Sequence, residues 1–245
     1  MPICASFPGP STMSDMSIII AIVSHRDLVV ATDGLARKDG KVVEEQYEKS
    51  VALNPGICLA STGSSTHLRD LLARMDPRCA TLDEDYAEKE FREQGLSIAG
   101  SFETLSESVS SAFMALHGDW ISEEDFGNSA FLLCGRGCQG PAALWLFSYQ
   151  REDGVLIPAQ GIVSTQRGTI PLIMGVMRDD PLYGRLERIS LGPGRSCVGA
   201  EQRLVRAIRV AVSEKPEIMI NGNVLIRRMS RRFEGDWRIE QEKRE

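Results

Sequence analysis

Long apolar runs are missing from this sequence. The longest, Ile18 to Val23, is far short of the roughly 20 residues that span a bilayer, so no membrane helix is expected. Excess basic charge is missing too. Lys and Arg number 28 against 34 Asp and Glu, a net charge of −6 that leaves no global basic field to gather nucleic acid. Arginines do cluster at Arg227, Arg228, Arg231 and Arg232, a pattern that reads as an exposed helix face. Metal-binding spacing is also lacking. Cys4, Cys58, Cys79, Cys134, Cys138 and Cys197 are irregularly placed, and the single C-x3-C at 134–138 has no second pair to complete a tetrahedral site. His25, His67 and His117 are scattered, and no H-E-x-x-H occurs, so neither a metal nor a cofactor is expected. No G-x-G-x-x-G or P-loop supports nucleotide binding. The first sixteen residues carry no Lys or Arg and no continuous apolar core, unlike a secretory signal, and the expected location is the cytoplasm.

What is present is ordinary globular composition, 42% hydrophobic and 25% charged, without a repeat or a low-complexity linker. Ser17 to Val23 reads as a buried strand and Leu28 to Thr32 as a second, joined by the polar turn Ser24-His25-Arg26-Asp27. A hairpin centred there pairs residues whose numbers sum to about 51, which sets Ser17 beside Asp33 and Gly34 at its open end. Asp39-Gly40 predicts a second hairpin, whose returning strand brings Lys49 back to the level of Asp33. Asn54-Pro55-Gly56 makes the next turn, followed by a strand at Ile57–Ser61, Gly63, and a helix near His67 that ends at Asp76-Pro77.

Residues 81–95 are acidic and read as a surface segment. A second helix is expected over Phe102–Leu116, then strands at Ala130–Cys134 and Ala142–Tyr149 around a Gly-rich turn. Strand-like pieces recur at Ile170–Met177 and Arg188–Leu191, with further helices at Ala200–Ser213 and Asn223–Phe233. Segregated runs of strands and helices predict two sheets packed face to face, with helices outside.

At these residues the sequence resembles the proteasome β-subunit family, including its bacterial relatives. The resemblance is carried by S-I-I-I-A-I-V-x4-L-V-V-A-T-D-G at 17–34, E-K-S at 48–50 and I-C-L-A-S-T-G at 57–63. Sixteen residues separate Ser17 from Asp33, and sixteen separate Asp33 from Lys49. The match is good over about 17–75, moderate at 130–149 and poor after about 195. It implies an α+β fold, a four-layer αββα sandwich of two antiparallel sheets flanked by helices, of the N-terminal-nucleophile hydrolase type. Residues 1–16 would be an extension or propeptide, and 17–245 a single proteasome-like domain.

The resemblance also implies roles. Ser17 would be the nucleophile, Lys49 a fixed positive charge, Asp33 its partner, and the Gly63 N–H the donor to the oxyanion. The partners it implies are a peptide or unfolded-protein substrate and further copies of the chain in a homo-oligomeric ring, with any ATPase partner left open. Three features depart from the family. Serine replaces the usual threonine. Met16 stands where a self-cleaving propeptide ends in glycine, which points to translation starting at Met16. The family's G-S-G-like turn is matched to Gly192-Pro193-Gly194, which has no hydroxyl, and its further aspartate has no convincing match. Two alternatives to a peptidase therefore stand, a non-catalytic subunit of the same assembly and an N-terminal-nucleophile amidohydrolase acting on a small molecule.

Overall fold

The computed structural model describes residues 17–25, 27–38, 41–44, 47, 49–63, 65–76, 98–120, 129–136, 142–152, 155–164, 168–192, 199–215, 223–231 and 237–244. The chain opens with β1 (Ile19–Ser24) and β2 (Leu28–Asp33), then a short ribbon of β3 (Ala36–Lys38) and β4 (Lys41–Glu44). β5 (Ser50–Asn54) and β6 (Ile57–Thr62) follow, and then helices α1 (Ser65–Met75) and α2 (Phe102–Trp120). Next come β7 (Ala130–Arg136), β8 (Ala142–Glu152), β9 (Val155–Ser164) and β10 (Thr169–Met174). Helices α3 (Pro181–Leu191) and α4 (Ala200–Glu214) precede the last two strands, β11 (Val224–Arg231) and β12 (Trp237–Arg244).

Two five-stranded antiparallel sheets result. The first runs β10-β1-β2-β11-β12, and the second β5-β6-β7-β8-β9. Alternation along each strand assigns its two faces. From β1, Ile20 and Ile22 join Leu182, Leu186, Leu204 and Ile208 of α3 and α4 in one apolar cluster. Ile19, Ala21 and Val23 point the other way, into a middle layer shared with Cys58, Leu132 and Leu144 of the second sheet. The far face of the second sheet packs on α1 and α2 through Leu59, Phe131 and Phe147 against Leu71, Val109 and Phe113. Phe113 meets Phe131 edge-on, with ring centroids 6.1 Å apart. Such pairs add about 0.5–1.5 kcal/mol beyond their buried area. The stack is therefore helix, sheet, sheet, helix, the four-layer αββα sandwich expected from the sequence. Strands β1 and β2 are covered on both faces, which is why their apolar residues run on without polar alternation.

The first hairpin has the expected register. Ile19 faces Thr32 and Ile20 faces Ala31, each pair of numbers summing to 51. Two expectations near the C-terminus are corrected. Residues 224–231 form a strand and not a helix, because Val224 and Ile226 face the α3–α4 layer while Met229 faces the second sheet. With both faces buried, a short apolar run fits either period equally well. The strand-like piece at 188–191 is the last turn of α3. That helix starts at Pro181, with the Asp180 carboxylate accepting from the Leu182 N–H, a combination of N-cap and first-turn proline that favours helix. The segment at 81–95 and the turn residues Asp39 and Gly40 lie outside the described residues. Among the described residues, no helix is long and apolar enough to cross a membrane.

Candidate active site

Asp33 is the last residue of β2 and is fully buried. Its Oδ1 accepts the Ile18 N–H at 2.8 Å. Its Oδ2 accepts the Lys49 ammonium at 2.8 Å and the Leu35 N–H at 3.2 Å. The Lys49 side chain is itself only 8% exposed. An ion pair this deep loses the hydration of both charges, and the two backbone donors help offset that cost by filling the carboxylate's remaining lone pairs. Lys49 precedes β5, whereas Asp33 ends a strand of the first sheet, so their bond joins the two sheets.

Ser17 lies just ahead of β1 and is 7% exposed. The Asp33 N–H donates to the Ile18 carbonyl at 3.2 Å, so Asp33 grips the chain next to Ser17 through both main chain and side chain. The other wall at Ser17 is Gly175, just past β10. Its φ is +89°, and a Cβ there would come within 2.1 Å of the Ser17 carbonyl oxygen, so only glycine fits. Glycine is followed by Val176, which packs into the apolar cluster under α3 and α4. Gly192, by contrast, caps the end of α3 and lies against the Arg203 side chain, while Pro193 and Gly194 fall outside the described residues. The glycine whose backbone lies against Ser17 is thus Gly175.

Gly63 comes to the same end through the second sheet. Ser50 faces Ala60 in the β5–β6 pair, and the Ser61 N–H donates to the Lys49 carbonyl at 2.8 Å. The chain therefore leaves β6 at the level where Lys49 enters β5. Gly63 is exposed, with φ at +83°, and a Cβ there would sit 2.4 Å from the Ser129 hydroxyl. Behind it, Ser129 Oγ and His67 Nδ1 are 2.7 Å apart, both groups buried. This pair backs the turn that presents Gly63.

Arg227 was expected on an exposed helix face. It is instead a 5% exposed side chain of β11 that crosses the middle layer. Its Nε donates to Ser50 Oγ at 2.6 Å and its terminal nitrogen to the Ser50 carbonyl at 3.1 Å. The Cys58 and Cys134 thiols, opposite one another on β6 and β7, lie in the same layer. Burial pushes the Cys134 thiol well up, with the positive charge of Arg227 working against it. Sequence reasoning missed Gly175, Ser129 and Arg227. For Arg227 the sequence carried no periodic signal, because Val224–Met229 is apolar or charged without alternation. For Gly175 the signal was a glycine inside the strand-like run Ile170–Met177.

The four residues proposed from the sequence thus gather at one end of the sandwich. Ser17 and Asp33 come from the first sheet, and Lys49 and Gly63 from the second. Two facing antiparallel sheets between helix layers are the αββα sandwich that the resemblance implies. Among solved structures the chain is similar to the Anbu (Gly-1) mutant from Hyphomicrobium sp. strain MC1, with a TM-score of 0.57 at 14% identity over 93% of this chain and 86% of that one. No protein-family model matches the chain, and no curated protein matches it.

Proposed function

We propose that this chain is a proteasome-type peptidase subunit that hydrolyses peptide bonds with Ser17 as an N-terminal nucleophile. The observation that carries the reading is the Asp33 carboxylate, fully buried and shared between Lys49 and the backbone beside Ser17. A charge pair without a catalytic task is a costly way to join two sheets that already share an apolar layer.

Once the residues before Ser17 are removed, its α-amine, with a reference pKa of about 7.7–8.0, accepts the Oγ proton. Oγ then adds to the substrate carbonyl carbon. The Gly63 N–H donates to the oxyanion, and the Lys49 charge favours the developing negative charge. The ammonium returns the proton to the leaving amine as the C–N bond breaks, and water hydrolyses the acyl-serine. The substrate would be an unfolded or peptide chain in a chamber closed by further copies of this protein, within the cytoplasm.

Intact mass and N-terminal sequencing of the native protein, paired with hydrolysis of a fluorogenic peptide series, test the proposal. A chain beginning at Ser17, active as such and inactive as Ser17→Ala, is the expected result. Retention of the residues before Ser17 together with no hydrolysis would rule it out. One observation favours a second reading, a non-catalytic subunit of the same assembly. Val176 follows Gly175 and packs into an apolar cluster, so it offers no hydroxyl to hold an amine at Ser17.

A further inference from the structure

Two consecutive residues of the second sheet are tied to the first by buried polar bonds. Lys49 bonds to Asp33, and Ser50 is held by Arg227. Among the described residues β5 is an edge strand of five residues paired with β6, and its register with β6 shifts between Ala52 and Asn54. The Ser61 N–H holds the Lys49 carbonyl to β6, which sets the start of β5 within its own sheet but not against the other one. β11, which carries Arg227, pairs directly with β2, and Val224 faces Asp33 in that pair. Arg227 and Asp33 thus stand on adjoining strands of one frame, and reach across to Ser50, the first residue of β5, and to Lys49 just before it.

We propose that Arg227 is the positioning residue of the site: its two-pronged hold on Ser50 fixes the backbone at Lys49, and so the place of the Lys49 ammonium on Asp33. The planar guanidinium carries parallel donors at fixed spacing, so it locks position and angle together. A lysine at 227 would retain the charge and lose the fork. One bond goes to the Ser50 hydroxyl and one to its carbonyl, so the hold acts on the main chain next to Lys49 and not merely on a side chain. Displacements of about 1 Å at a reacting group cost on the order of 100-fold in rate. The catalytic consequence rests on the peptidase reading above; the geometric one does not.

The test uses full-length protein labelled with 13C at the lysine Cε positions. Lys49→Arg assigns the Lys49 signal among those of Lys38, Lys41, Lys89, Lys215 and Lys243. In the wild type, a held ammonium gives Lys49 two inequivalent Cε protons. In Arg227→Lys the pair is expected to collapse toward the average of a solvated lysine, while Lys215, bonded to Asp180 in the helix layer, stays in place. Ser50→Ala removes only the hydroxyl bond and is expected to give a smaller shift in the same direction, and it serves in place of Arg227→Lys should that variant not fold. Lys49 signals unchanged in the folded variants overturn the proposal, whatever the activity. If the wild type hydrolyses peptides, Arg227→Lys should lower kcat roughly 10- to 100-fold with KM changing less. If it hydrolyses none, the peptidase reading fails while the Lys49 signals still decide this one.

Discussion

Two Asp–Lys pairs in this protein have nearly the same local chemistry and opposite settings. Asp33 ends β2, bonds to Lys49 and accepts from two backbone N–H groups, with both side chains sealed between the sheets. Asp180 precedes α3, bonds to Lys215 after α4 at 2.6 Å and accepts from one backbone N–H. Its lysine side chain is 26% exposed. The hydrogen bond from Lys215, with the Leu182 N–H behind it, holds the Asp180 carboxyl below the usual carboxylate range. Water can replace Lys215 if the outer pair breaks, whereas it cannot easily reach Asp33. The same two functional groups therefore serve as a helix staple in one place and as a junction of the two sheets in the other.

The largest expected effect is at the inner pair. Asp33→Ala removes the buried carboxylate from the Lys49 ammonium, and denaturant unfolding should show a loss of about 3–5 kcal/mol. A loss below about 1 kcal/mol would mean that solvent reaches Lys49 and that the contrast with Asp180 is illusory. Gly63→Ala comes next. The positive φ and the contact with Ser129 together should cost on the order of 1–3 kcal/mol, and thermal unfolding measures it. A neutral substitution there would show that the turn has room to shift and does not hold its N–H rigidly.

Asp180→Ala should have the smallest effect. Losing the cap and a partly exposed ion pair costs about 1–2 kcal/mol near neutral pH. Its pH dependence sharpens the comparison. A carboxyl with a depressed folded pKa contributes stability that is present above its unfolded value of about 3.9 and is lost as pH falls through the folded value. The stability gap between wild type and Asp180→Ala should therefore be constant at neutral pH and close below about pH 4. A gap that instead widened on acidification would assign Asp180 the opposite shift.

The N-terminal half was legible because its signals are local. A turn at Ser24–Asp27 centres the first hairpin, and its register sets Ser17 beside Asp33. The C-terminal half was harder to read because both faces of β11 are buried. A strand covered on both sides has no polar alternation, and its arginines mimic a solvated helix face until the partner of Arg227 is known. The tail of α3 was misread for a related reason. Its start signal, Asp180-Pro181, lies eight residues before the β-branched Ile189 that suggested a strand.

The sequence by itself determined the first hairpin, the strand at 57–61, the helices at 65–75 and 102–120, and the candidate residues Ser17, Asp33, Lys49 and Gly63. It read one returning strand, however, where the structure has β4 and β5 in separate sheets. Turn chemistry and hydrophobic period act over a few residues and survive in a linear string. Only the tertiary structure decided that Gly175 walls Ser17, that Ser129 and His67 back Gly63, and that Arg227 reaches Ser50 across the middle layer. Each of those contacts joins segments between 62 and 177 residues apart in the two hydrogen-bonded cases, where burial and packing, and not local conformation, choose the partner.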